Sequence, residues 1–307
     1  VGLPKLWVSH KTASTWSEPE TVDLPQETEP FAFRRSPCIS YDDQTLYFTR
    51  AVISGIYVVR TRLCCAHKLD GAWQAPVDLG DTVNHSDPAR IPSDPSTSAA
   101  GDLLFFTSDR PGGYGRTDVW MSRRIAGSWT APSNLGPKIN TPAHDSEPCI
   151  SADGRTLYFS SDRSGGLGGS DLWVSHWIDD DWSAPRNLGP EVNSPGADRE
   201  PELSKNGRTL LFTGIRSGGA GLSDIWSVRS VFRLGDFDRD GDGDQTDFAR
   251  LQRCWTGPGL PQTQPQCMET GLDDDADTDN DDFNLFIECA TGPAIKHIPD
   301  VAGVSCN

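Results

Sequence analysis

An all-β protein assembled from a repeated unit is the fold class that the sequence predicts, and three observations predict it. The first is the spacing of tryptophan. Eight of the ten Trp fall in two series, Trp16, Trp73, Trp129 and Trp182 in one and Trp7, Trp120, Trp173 and Trp226 in the other, with neighbouring copies 53 to 57 residues apart except for Trp7 and Trp120, which are two periods apart. The second is a recurring phrase, fullest at 146–189 as SEPCISADGRTLYFSSDRSGGLGGSDLWVSHWIDDDWSAPRNLG, with copies ending at Gly136 and near Val228 and a fainter one ending at Gly80. The third is a surplus of turn formers, 30 Gly and 23 Pro in 307 residues, which favours short strands over long helices. A period of this length marks a repeat architecture, and about four short strands per unit make a β-propeller blade.

Each element has a local reason. TLYFSS, DLWVSHW and WSAPRNL are short runs rich in aromatic and β-branched residues, separated by Asp-Gly, Gly-Gly and Pro. Asp153-Gly154 and Asn206-Gly207 stand between two such runs, where a tight hairpin turn prefers them. A blade cannot bury both faces alone, so blades stack and the Trp and Leu positions fill the seams. Residues 1–10 align with the interior of a unit at 166–176, so the chain is expected to open halfway through a blade, with at least half a blade upstream. Five blades are expected, or six, the first truncated, and the propeller is assigned to residues 1–231.

The formal net charge of −17 is uneven. Residues 235–307 hold 16 acids and four bases, leaving 28 acids and 23 bases before them. The acidity therefore belongs to a C-terminal module, assigned to residues 232–307. It argues against nucleic acid as a partner, which needs a basic footprint. No apolar run approaches the ~20 residues needed to span a bilayer.

On the run from Pro148 through Ser151, Asp153-Gly154 and the aromatic strand to Ser161-Asp162-Arg163 and Gly165-Gly166, the units resemble the WD-like repeats of the TolB-type propeller family. Residues 102–113 and 201–219 carry part of that pattern. Residues 37–60 depart from it, with Asp42-Asp43 in place of Asp-Gly. The resemblance implies a fold and little chemistry, because propellers host binding scaffolds, hydrolases and lyases alike.

The propeller contains no GxSxG, no HExxH and no phosphate loop. Its most suggestive residues are carboxylates before proline, Asp94, Glu147 and Glu200, which recur at the entrance to the first strand of successive blades. If that entrance faces the central channel, they form a ring able to bind a cation or a sugar, or to do paired-carboxylate glycosidase chemistry. The alternative is that each braces the same turn in its own blade, the reading favoured by its repetition. Asp109-Arg110 and Asp162-Arg163 read as turn-bracing ion pairs, and Asp118, Asp171 and Asp224 read as structural in the same way.

In the C-terminal module, residues 236–247 read DFDRDGDGDQTD. Asp236, Asp238, Asp240, Asp244 and Asp247 hold loop positions 1, 3, 5, 9 and 12, Gly241 supplies the turn, and Asp242 offers a backbone carbonyl. That ligand order suits calcium. The following DFARLQRCW places Phe248, Leu251 and Trp255 on one helical face. The pattern returns 35 residues later with Asp273, Asp275, Asp277, Asp279 and Asp282, but with Gly271 at position 1 and Ala276 at the turn, so weaker binding is expected. Cys254 and Cys267 bracket one Gly-Pro loop and Cys289 and Cys306 its counterpart, so two disulfides are expected.

Two such loops, each followed by one helix, resemble a dockerin module, which implies attachment to a cohesin-like partner. Cys38 and Cys149 share a strand position and read as buried thiols, while the adjacent Cys64-Cys65 have no sequence rationale. Together these features predict a secreted or cell-envelope, calcium-binding protein whose propeller recognises a protein or glycan. The alternative is a polysaccharide-active hydrolase or lyase with carboxylates in the propeller mouth.

Overall fold

The computed structural model describes residues 5–10, 15–25, 32–54, 57–178, 180–229, 237, 244–264, 267, 270–272 and 277–289. The chain enters as a two-stranded ribbon, β1 (Trp7–Val8) and β2 (Glu20–Thr21). The first blade follows as β3 (Ala32–Ile39), β4 (Thr45–Ser54), β5 (Tyr57–Leu69), β6 (Ala72–Trp73) and β7 (Val77–Asp78), then a short helix α1 (Gly80–Val83). The second is β8 (Ser93–Thr97), β9 (Leu103–Ser108), β10 (Asp118–Ile125), β11 (Ser128–Trp129) and β12 (Ser133–Asn134). The third is β13 (Asp145–Ile150), β14 (Thr156–Ser161), β15 (Asp171–Ile178), β16 (Asp181–Trp182) and β17 (Arg186–Asn187). The fourth has three strands, β18 (Asp198–Leu203), β19 (Thr209–Gly214) and β20 (Asp224–Arg229). Every pairing between these strands is antiparallel, and two isolated bridges between blades, Thr117 with His144 and Ser170 with Ala197, are parallel. In the first three blades the outermost strand is split at Pro76, Pro132 or Pro185, residues that bring no N–H to a ladder.

The arrangement is propeller-like with four blades, which corrects the expected five or six. Among the described residues the N-terminal half unit supplies β1 and β2, the counterparts of a blade's outer strands, and this ribbon is too short to be a blade. The innermost strands β3, β8, β13 and β18 each adjoin the next. Each seam repeats one packing rule. Phe106 and Trp120 pack on Tyr47, Leu63 and Cys65 of the first blade, and Phe159 and Trp173 pack on Phe105 and Val119 of the second. Phe212 and Trp226 repeat the contact on Tyr158, Leu172 and Val174. Burying each such aromatic contributes about 1.5–3 kcal/mol.

This rule explains Cys64. It pairs with Phe48 across β4–β5 as Trp120 pairs with Phe106 and Trp173 with Phe159, so it stands at a Trp position. There it is fully buried among Leu6, Leu24 and Leu46, the leucines of the ribbon replacing the missing indole volume.

The Asp-Arg pairs differ from expectation. Arg163 ion-pairs with Asp145, 2.5 Å away, and not with Asp162, whose carboxylate accepts the His144 N–H. The Arg163 guanidinium lies 4.8 Å from the Phe159 ring centroid and 5.2 Å from that of Trp173. Arg216 repeats the set with Asp198, Phe212 and Trp226. Arg110 stacks on Phe106 and Trp120, but Pro92 stands where an Asp145 equivalent would be. The adjacent Asp and Arg point to different partners because neighbouring residues on extended chain face opposite ways.

Asp118 and Asp171 are structural, as expected: each accepts two loop N–H groups and the amide of Asn134 or Asn187. A Cβ on Gly113 or Gly166 would lie 1.8 or 2.4 Å from those carboxylates, so the second glycine of each Gly-Gly must remain glycine. Asn84, Asn140 and Asn193, which the sequence reading missed, clamp both backbone groups of Leu63, Val119 and Leu172.

The C-terminal module contains α2 (Gln245–Arg253) and α3 (Asn280–Cys289) around Phe237, Leu251, Leu272 and Phe286. Phe237 stacks on Phe286 at 6.1 Å, and Phe248 meets Phe283 at 5.7 Å. Leu251 and Phe286 are 35 residues apart, as are Phe248 and Phe283, so the sequence duplication becomes a two-fold core. Trp255 corrects the expected helical face. The helix ends at Arg253 with Cys254 as its C-cap, and Trp255 is exposed beyond it.

Candidate functional site

Asp94, Glu147 and Glu200 share one backbone device. The ladder slips between Ser93 and Ser96, between Ser146 and Cys149, and between Arg199 and Glu202, forming a bulge at the entrance to each innermost strand. The residue before proline takes a left-handed conformation there, with φ of 53° at Asp94, 55° at Glu147 and 52° at Glu200. Ser36 holds the same position in the first blade with φ 49°. Such conformations cost non-glycine residues about 1–3 kcal/mol each, so surrounding contacts must hold them.

Those contacts cross the seams. The N–H of Asp94 donates to Thr49 Oγ1 at 3.3 Å and the N–H of Glu147 to Thr107 Oγ1 at 2.9 Å, each threonine lying one blade earlier. Ser36 and Ser93 donate to the two oxygens of Asp94 at 2.6 and 2.7 Å. Glu147 Oε2 accepts from Ser160 Oγ at 2.6 Å and from the Glu200 N–H at 3.1 Å. Ser93 and Ser160 belong to the acceptor's own blade, whereas Ser36 and Glu200 belong to its neighbours. The structure therefore brings the three carboxylates to one cavity of about 350 Å³, lined by residues of all four innermost strands.

Glu202 joins them, and the sequence reading missed it. It stands where the other blades carry Cys38, Ser96 and Cys149, so the available signal was a single charge in a column of small residues. Burial, followed by the charges of Asp94 and Glu200, pushes the Glu147 carboxyl up, against hydrogen bonds that hold it down. Enclosure pushes Glu202 up to about 7. Water reaches part of this side chain along the channel, yet protein surrounds it, so its charge is poorly solvated. Burial, with Glu202 nearby, also pushes the Cys38 thiol up to about 12 and the Cys149 thiol well above its ordinary value, so both are inert buried thiols as expected.

In the acidic module, Asp236, Asp238, Asp240, Asp242, Asp273, Asp275 and Cys306 lie outside the described residues. Asp244, Asp247, Asp277, Asp279 and Asp282 lie within them. Asp247 accepts from the N–H groups of Phe237 at 2.5 Å and Asp244 at 2.9 Å. Asp282 accepts from those of Leu272 and Asp279 in the same pattern, 35 residues on. Asp277, Asp279 and Asp282 are buried and offer oxygens within 4.8 Å of one another. Three carboxylates at that spacing form a hard-oxygen donor set, the chemistry that calcium prefers. The Cys254–Cys267 disulfide is present, with Cα atoms 5.3 Å apart. Cys289 ends α3, and its side chain lies outside the described residues.

Fold and site together define a propeller-type scaffold with a carboxylate-lined channel and a duplicated acidic module. No protein-family model and no curated protein matches the chain. Among solved structures, putative TolB from Agrobacterium tumefaciens is 16% identical, over 73% of this chain and 70% of its own, with a TM-score of 0.46. TolB from Acinetobacter baumannii is 14% identical over 68% of this chain and 45% of its own, at 0.42. The alpha-L-arabinofuranosidase from Lactobacillus brevis is 14% identical over 68% and 78%, at 0.44. Values this low carry no argument about ligand or chemistry. Among the described residues no helix is long and apolar enough to cross a membrane.

Proposed function

We propose that the chain is a calcium-binding recognition protein of the secreted or cell-envelope kind, with the propeller as its ligand-reading part and the C-terminal module as its attachment. The observation that carries this reading is the convergence of Asp94, Glu147, Glu200 and Glu202 on one cavity. Four acids around a 350 Å³ cavity suit a ligand that brings a positive charge or several hydroxyls, from a protein segment or a glycan. The acidic module would hold calcium through Asp236, Asp238, Asp240, Asp242, Asp244 and Asp247 in one loop and Asp273, Asp275, Asp277, Asp279 and Asp282 in the other. Bound calcium would offset the mutual repulsion of these carboxylates, and the exposed helix faces would then be free to dock a cohesin-like partner. A screen of basic peptides and glycans against the full chain, followed by Glu147→Gln/Glu200→Gln, tests the propeller part. Ligands that bind the double variant as tightly as the native chain would exclude the channel.

A second reading has its own observation. Glu147 is pushed towards the protonated form while sharing the cavity with other carboxylates, and a carboxyl kept protonated beside a second carboxyl is an ingredient of glycosidic acid–base chemistry. In that case the chain acts on a polysaccharide, and Glu147→Gln abolishes turnover while leaving binding in place.

A further inference from the structure

A second cavity, of about 390 Å³, opens at the outer edge of the seam between the second and third blades. Its apolar side includes Phe105, Trp177 and Trp182. Trp177 is one of the two Trp outside the repeat series. The corresponding positions are Lys68 and Arg124, whose cationic groups sit over Trp73 at 5.3 Å and over Trp129 at 5.8 Å. In the third blade the cation is replaced by an indole, which meets Trp182 edge-on at 5.3 Å. Trp182 also meets Phe105 at 6.1 Å. Trp182 is 5% exposed, where its counterparts Trp73 and Trp129 are half-buried. A feature that appears once in a repeat protein performs no per-blade task, and this one builds an aromatic wall.

The polar side of the cavity carries positive charge that no described residue pairs. Its two acids are already paired, Asp181 with Lys138 at 2.5 Å and Asp153 with Arg250 at 3.4 Å. Arg123 and Arg155 also line it, and their guanidinium groups make no hydrogen bond or ion pair with any described residue. Two guanidiniums without a partner among the described residues, both on residues that line one cleft, stand out in a chain of net charge −17. Guanidinium is the side-chain group best shaped to hold a carboxylate through paired N–H donors. An aromatic wall suits the C–H face of a sugar ring, and the volume lies within the usual range for small-molecule sites, about 300–1,000 Å³.

We propose that this cleft binds an acidic saccharide, with a pyranose ring against the Trp177 wall and its uronate carboxylate held by Arg123 and Arg155. The site is separate from the central channel and needs no metal. The probe is an aldouronic acid, a xylotriose bearing one glucuronate, titrated calorimetrically into the full chain beside unsubstituted xylotriose. The acidic sugar is expected to bind at least roughly tenfold more tightly than the neutral one. Arg123→Gln/Arg155→Gln is expected to erase that difference. Trp177→Lys, which restores the cation–indole stack of the first blade and so preserves the fold, is expected to weaken both sugars while the melting temperature holds. Absence of heat up to about 10 mM sugar overturns the proposal. So does equal binding of the two sugars, or native affinity in either variant.

Discussion

The backbone N–H of Glu200 donates a 3.1 Å hydrogen bond to Oε2 of Glu147, from the fourth blade to the third. One acidic residue thus uses its backbone to hold the carboxylate of another, and the bulge that frees the Glu200 N–H from its own ladder makes this geometry available. The channel is built from such seam-crossing bonds, and its electrostatics follow from them.

Glu147 and Glu202 hold their protons to higher pH than ordinary carboxyls. Between 4.5 and about 7 the folded chain therefore binds more protons at Glu202 than the unfolded chain does, and this group's contribution to stability is lost as pH rises through that window. Glu202→Gln is expected to melt above the native chain at pH 8 and to converge with it near pH 4.5, in scanning calorimetry at fixed calcium. A melting difference independent of pH would contradict the assignment.

The Arg clamps differ in their carboxylates, and their variants should differ too. Arg163→Met leaves the fully buried Asp145 without its guanidinium and is expected to cost about 3–5 kcal/mol. Arg110 faces Pro92 instead, donates to the Val83 carbonyl, and is pushed down to about 10 by burial. Arg110→Met is expected to cost less, about 1–3 kcal/mol. Urea unfolding of the two variants side by side checks the order.

Calcium should stabilise the C-terminal module through two sites. At one hundred times the dissociation constant, each adds about 2.7 kcal/mol. Calorimetry of the full chain is expected to resolve two sites, with Asp247→Asn removing one and Asp282→Asn the other. No heat at millimolar calcium would sink the reading.

The Cys254–Cys267 bridge closes a 13-residue separation, for which chain entropy gives about 3 kcal/mol. The double alanine variant is expected to lose about 2–4 kcal/mol in the module and to leave the propeller's own transition unmoved. Differential scanning calorimetry with resolved transitions measures both.

Much of this was legible in one dimension. The Trp series located the seams because a repeated large aromatic must fill a repeated gap, and the 35-residue echo located the two-fold core of the C-terminal module. Cys64 escaped because the substitution that removes the marker also removes the signal, although counting one period back from Trp120 finds it. Glu202 escaped because an acid beside Glu200-Pro201 looks like more of the same until its column is aligned with Cys38, Ser96 and Cys149.

The sequence by itself determined the repeat, the strand pattern and the cysteine pair near α2, since each depends on residues close together or at a fixed step. Only the tertiary structure decided the blade number, the partner of each arginine and the meeting of Asp94, Glu147, Glu200 and Glu202 in one cavity. Those depend on how blades are placed about an axis. A period states that units stack, but the angle between them, set by side-chain packing at the seams, decides how many there are and which side chains face one another.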